Sequence, residues 1–207
     1  MQKELEHFTI GYSYGGNQDW FSSYMMRLGG CGAEVACDAS IYLAKRLGFD
    51  VAYPFDLSYI TKYDYIRFSK IMRRYLWPRI HGINKASSWI EGYSEYLEDR
   101  GIDDIGMSEL EGARPYGEAE AAVRRQIDRG ILIPDLTLYH MSEGMKDYRW
   151  HWFIINGYST ERKGHEGRFM VKAVTYSEYE WIDFAELWNT GYKQRGGLVL
   201  LDVKQQN

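Results

Sequence analysis

Two residues carry the chemistry this sequence can do. Cys31 lies in Leu28-Gly29-Gly30-Cys31-Gly32-Ala33-Glu34-Val35-Ala36-Cys37, and His151 lies in Arg149-Trp150-His151-Trp152-Phe153-Ile154-Ile155-Asn156-Gly157-Tyr158. The first stretch reads as a tight glycine turn, a cysteine and then a helix. A cysteine in a first helical turn meets unpaired N–H groups and the positive end of the helix dipole. Both favour the thiolate, which is the nucleophile. The histidine opens a strand. Together they suit acyl transfer: a thiolate attacks a carbonyl, an imidazole holds and returns the proton, donors receive the oxyanion, and a third group orients the ring. The competing reading is that Cys31 is one more buried cysteine, the usual fate of a free thiol. Cys37 as the reactive thiol, with Cys31 structural, is weaker still, because burial inside an apolar helix raises its pKa and hides it.

The elements that must position these residues follow from periodicity. From Cys31 to about Arg46 the chain is apolar on almost every side, with Glu34, Asp38 and Ser40 as polar breaks. Such a helix is central and buried, and Gly48 suits its end. Phe8–Tyr12 alternates as an edge strand. Leu57–Arg74 carries Ile60, Tyr63, Ile66, Ile71 and Tyr75 on or near one stripe and reads as a helix ended by Pro78. Ser87 or Ser88 caps a further helix, Trp89–Leu97. Ile102–Pro115 reads as a connector and Gly117–Arg129 as a helix.

Ile131–Leu138 reads as a strand, with Pro134 a mark against full pairing. Met141–Arg149 reads as a polar loop. Trp150–Tyr158 and Gly167–Tyr176 have the grammar of a hairpin with a longer loop. Asp183 caps a short helix over Phe184–Trp188, and Leu198–Val203 is a last strand. A helix-rich first half before a sheet-rich second half is α+β by pattern.

Bulk properties narrow the classes. The chain has 207 residues, 45% hydrophobic and 16% aromatic, enough for one domain with a real core and unlike a disordered chain. A net charge of −4 gives no electrostatic reason to bind nucleic acid or an acidic membrane surface. No segment has the length of a membrane span and residues 1–30 do not read as a signal peptide, so a cytoplasmic protein is expected. Cys31 and Cys37, about 9 Å apart along one helix, cannot form a disulfide without breaking it. No Cys-x-x-Cys or His-Glu-x-x-His occurs, so neither a metal nor a cofactor is expected. His7, His81, His140 and His165 are scattered and read as surface or structural.

Taken in order, these stretches resemble the papain-like cysteine peptidases. They are Gly30-Cys31-Gly32 leading a buried helix, a glutamine upstream, Arg125-Gln126-Ile127-Asp128-Arg129-Gly130-Ile131-Leu132-Ile133, and His151-Trp152-Phe153-Ile154-Ile155-Asn156-Gly157-Tyr158. The likeness runs from about Gln18 to Val203 and is nearest to the bacterial branch that includes bacteriocin-leader-processing peptidase domains. It implies a single papain-like domain over residues 1–207, its Cys-bearing helix packed on a C-terminal antiparallel sheet, with a helical insertion around 50–115. It also implies Cys31 as nucleophile, His151 as general base, and Gln18, in competition with Asn17, as oxyanion donor beside the Cys31 N–H.

The chain departs from the family in two places. The gap between Gln18 and Cys31 is longer than usual. Where the family has Asp or Asn after the histidine strand, this chain has Thr175-Tyr176-Ser177-Glu178. Pairing of the two strands would set Thr175 roughly opposite His151, with Ser177 and Glu178 as alternatives, and Asn156 facing away in a structural role. The expected activity is thiol-dependent hydrolysis of a peptide or protein amide. A transglutaminase-like acyltransferase or a non-catalytic papain-fold binding protein are the alternatives. The aromatic surface is compatible with a homodimer.

Overall fold

The switch from helical to alternating periodicity along the chain produces the elements in that order. A computed structural model describes residues 1–78 and 82–204, so His81 lies outside the described residues. The elements are β1 (Gln2–Glu4), β2 (Thr9–Ile10), β3 (Ser13–Tyr14), α1 (Tyr24–Gly29), α2 (Cys31–Leu47), α3 (Lys62–Met72), α4 (Ala86–Asp99), β4 (Ile105–Glu111) and α5 (Tyr116–Asp128). They continue with β5 (Ile133–Thr137), β6 (His151–Ser159), β7 (Met170–Thr175), β8 (Glu178–Asp183), α6 (Phe184–Trp188) and β9 (Gly196–Val203). The class is α+β. The main sheet runs β4-β9-β5-β6-β7-β8, with β1 added on β6, and every pairing is antiparallel.

Helix α2 is the centre. Every residue from Cys31 to Ala44 is buried, as its all-round apolar surface demands. It stops at Gly48, which takes a left-handed φ of 79° and sends its N–H to the Leu43 carbonyl. Trp89 of α4 and Trp152 of β6 stack at 5.4 Å and close over the first turn of α2. The Trp89 Nε1–H donates to the Gly32 carbonyl at 2.8 Å, and the Trp152 Nε1–H to the Ile83 carbonyl at 2.6 Å.

Several boundaries differ from the sequence reading. The helix expected from Leu57 starts at Lys62, where the Thr61 side chain accepts the Asp64 N–H. Helix α4 starts at Ala86, so Ser87 and Ser88 lie inside its first turn and cap nothing. The Phe8–Tyr12 strand is a small hairpin of β2 and β3, turned at Gly11 with φ 61°. The Met141–Arg149 loop holds a 3-10 turn over Glu143–Tyr148. Ile102–Pro115 contains strand β4, so the helical stretch begun at residue 50 returns to the sheet at Ile105. Strand β8 followed from no pattern in the sequence. The three missed strands, β1, β4 and β8, have one neighbour each and charged residues turned to solvent, which erases the alternation signal. Pro134 is tolerated in β5 because the β9 ladder begins only at Asp135.

Asp135 is a buried acid in this sheet. The Thr137 hydroxyl donates to it at 3.1 Å, yet burial pushes its carboxyl up to about 7. The folded state therefore holds a proton that the unfolded chain releases near pH 4, and stability falls as pH rises from about 4 to about 7. Asp135→Asn is expected to remove about 3 kcal/mol of the stability loss between pH 5 and pH 8, read by urea unfolding at both pH values. An unchanged pH dependence would show that Asp135 is not the proton holder.

Candidate functional site

Cys31 is the first residue of α2, directly after the α1–α2 junction at Gly30. A Cβ at Gly30 would run into the Met26 carbonyl, so only glycine lets the two helices meet this closely. No side chain caps α2, leaving its first N–H groups around the cysteine. The Trp152 ring lies against Gly32, and so the start of β6 abuts the start of α2.

The sequence expectation of a favoured thiolate is corrected here. Burial pushes the Cys31 thiol up to about 11, against the lowering by these N–H groups and with a further rise from Glu34. The net shift is worth about 3 kcal/mol against the thiolate. A helix dipole supplies about 0.3–1 kcal/mol in most settings, so desolvation wins. Cys37 is fully buried and raised well above the ordinary thiol value. Both cysteines are free.

His151 opens β6, preceded by Trp150 with a left-handed φ of 58°. Its Nε2 is 2.7 Å from the Thr175 hydroxyl. The β6–β7 register pairs Ile154 with Val174, and this brings Thr175 to the histidine. Ser177 is spent elsewhere, its hydroxyl donating to the Gly16 carbonyl, and Glu178 is exposed. The Tyr176 ring lies flat on the imidazole at 5.0 Å and 4°. Burial pushes the imidazole down to about 4, so the ring is neutral at pH 7.

Gln18 and Asn17 are both engaged with the chain itself. The Asn17 side chain accepts the Asp19 N–H at 2.8 Å and caps the 3-10 turn Gln18–Trp20. Gln18 is buried, and its Nε2 donates to the Arg27 carbonyl at 2.9 Å, while its Oε1 has no partner. To serve an oxyanion, that Nε2 must leave α1. Asn156 donates to the Tyr14 hydroxyl at 3.1 Å. His7 is buried 3.6 Å from Asp38, and His140 is held between the Glu186 carbonyl and the Ser142 N–H, while His165 is exposed.

Sequence reading passed over Glu34, taking it for a polar break. Here Glu34 is buried and receives the Gln18 N–H at 3.2 Å. Beside Thr175 opens a groove of about 510 Å³, lined by Tyr148, Tyr176, Tyr179, Glu178 and Glu180. Among the described residues no three His, Cys, Asp or Glu side chains converge as metal ligands, and no helix is long and apolar enough to cross a membrane.

Compared with known proteins, the chain matches no family model, no curated protein and no solved structure.

Proposed function

We propose that this protein is a thiol-dependent amide hydrolase of papain-like architecture, acting on a peptide or protein substrate through Cys31 and His151. The observation that carries the reading is the junction of α2 and β6. A cysteine among free helix N–H groups meets a strand start whose histidine is oriented through Nε2 by Thr175. Both partners rest neutral, so attack and proton transfer are coupled. Sγ bonds to the substrate carbonyl carbon as the S–H proton passes to His151 Nδ1. The oxyanion is received by the Cys31 N–H and, once turned from Arg27, by Gln18. The C–N bond then breaks, the imidazolium gives its proton to the leaving amine, and a thioester remains. Water, deprotonated by His151, attacks the thioester to release the acid and restore the thiol. Thr175 steadies the ring but brings no charge to the imidazolium. An amine in place of water turns the same steps into transglutaminase-like transfer.

The raised thiol and lowered imidazole favour a second reading, a papain-fold binding protein whose Cys–His pair is structural. Incubation with an activated ester such as p-nitrophenyl acetate, followed by peptide mass mapping, separates the two. Acetyl on Cys31, absent in Cys31→Ala and retained in Cys37→Ala, is expected of the hydrolase. Acetyl confined to lysines or found on Cys37 would sink it and leave the binding reading.

A further inference from the structure

The two reacting groups are closed off. Cys31 is 6% exposed and His151 4%, so neither can meet a peptide amide until a wall moves. The walls differ in their freedom to move. Trp89 and Trp152 are wholly buried and stacked on each other. Ile83, against Gly32, is fastened by its carbonyl, which accepts the Trp152 Nε1–H at 2.6 Å. Around the imidazole, fully buried Phe153 stacks at 6.4 Å, Thr175 holds Nε2, and the Tyr176 ring lies flat at 5.0 Å. Of these aromatic rings only that of Tyr176 is exposed to solvent, by 39%.

Tyr176 sits in the two-residue turn between β7 and the edge strand β8, where Thr175 pairs with Glu178. Tyr176 and Ser177 both take positive φ, 50° and 66°. Asn-Gly is the usual choice for such a loop, because a side chain with a Cβ is disfavoured there. Ser177 is the fixed half of the turn. Its carbonyl accepts the Tyr14 N–H at 2.9 Å, and its hydroxyl donates to the Gly16 carbonyl at 3.1 Å. The Tyr176 ring rests on His151 and also forms one wall of the groove of about 510 Å³ beside Thr175. A swing about its own side-chain torsions takes the ring off the imidazole and toward that groove, with the sheet left intact.

We propose that Tyr176 is the gate of the Cys31–His151 site and selects what enters by size. Its ring, resting on the imidazole, narrows the way to the thiol. A small reagent passes far more readily than a peptide-sized one, which needs the ring swung out toward the groove. The inference rests on Cys31 and His151 as the reacting pair. A substrate segment that lies in the groove meets Tyr148 and Tyr179, and those contacts offset the lost stack.

The test compares alkylation of Cys31 by iodoacetamide and by iodoacetamidofluorescein, which carry the same reacting group on bodies of different size. Rates are read by peptide mass mapping at pH 9. Their ratio cancels the ionisation of the thiol and leaves access. Tyr176→Ala is expected to raise the bulky-to-small ratio by about tenfold, the effect of losing a strong aromatic stack. Tyr176→Phe keeps the ring and is expected to keep the wild-type ratio. An unchanged ratio in Tyr176→Ala would overturn the gate. A second measurement needs no variant. Nuclear Overhauser contacts between the His151 and Tyr176 rings are expected in the free protein and should vanish once fluorescein sits on Cys31. Contacts that survive the bulky label overturn the proposal as well. Both readouts concern entry and not acyl chemistry. A raised ratio at a Cys31 that never forms an acyl thioester sinks the hydrolase reading and leaves the gate standing, while an acyl thioester with an unchanged ratio sinks the gate alone.

Discussion

Replacing His151 by alanine is expected to slow acylation of Cys31 by about 10²–10⁴-fold, the range for loss of a positioned general base. The effect should be that large because the resting thiol is protonated. With its ionisation pushed up to about 11, only a small fraction is thiolate at neutral pH, and in the proposed mechanism the imidazole takes the proton during attack. Thr175→Val keeps the shape but removes the Nε2 partner at 2.7 Å, and should cost about tenfold, since it frees the ring without removing the base. The acid limb follows from the imidazole. Protonation through about pH 4 leaves no acceptor, so the rate should fall as pH drops through that value. Stopped-flow acylation with p-nitrophenyl acetate reads all three effects. Equal rates in wild type and His151→Ala would place any reactivity of Cys31 outside a Cys–His mechanism.

The sequence was legible where burial is total and silent where it is one-sided. Helix α2 is wrapped on every side, and its apolar run shows it. Strand β6 is buried along its whole length, and its run His151–Tyr158 shows it equally. Hairpin grammar between β6 and β7 sets Thr175 roughly opposite His151; the observed ladder is shifted by an irregularity between Ile155 and Tyr158 and pairs Ile154 with Val174, yet the Thr175 hydroxyl still reaches the imidazole at 2.7 Å. Strands β4 and β8 stayed hidden because an edge strand satisfies half its backbone with water and tolerates charges such as Glu109 and Glu180.

The ionisation of Cys31 was misread for a different reason. The helix dipole is local and can be read from the sequence. Desolvation comes from burial under the fold, where residues as distant in sequence as Ile83, Trp89 and Trp152 pack against the neighbouring Gly32, and so exists only in the folded chain. Gln18 shows the same limit, since nothing in the sequence tells that its amide is taken by the Arg27 carbonyl. Glu34 is visible as an acid, but its target, the Gln18 N–H, is set by tertiary packing.

Trp152→Ala is expected to cost about 3–5 kcal/mol of folding stability, the range for truncating a fully buried large aromatic. The side chain is 1% exposed, stacked on Trp89 at 5.4 Å and bonded through Nε1 to the Ile83 carbonyl. Trp152→Phe keeps a ring and loses that hydrogen bond, so about 1–2 kcal/mol is expected, including a carbonyl left unpaired. Guanidinium unfolding measures both, and a loss below 1 kcal/mol for the alanine variant would show that the tryptophan pair does not hold α2 to β6. The same substitution has a second consequence. The indole lies against Gly32, next to the thiol, and it helps keep water from Cys31. Opening that wall should let the thiol fall from about 11 toward its ordinary value and speed alkylation at pH 8, although the fold is weaker. Stability and thiol reactivity are therefore opposed at this junction. The aromatic packing that fastens the central helix to the sheet also keeps its cysteine protonated, and under the proposed hydrolase reading turnover would depend on His151 to take the proton during attack.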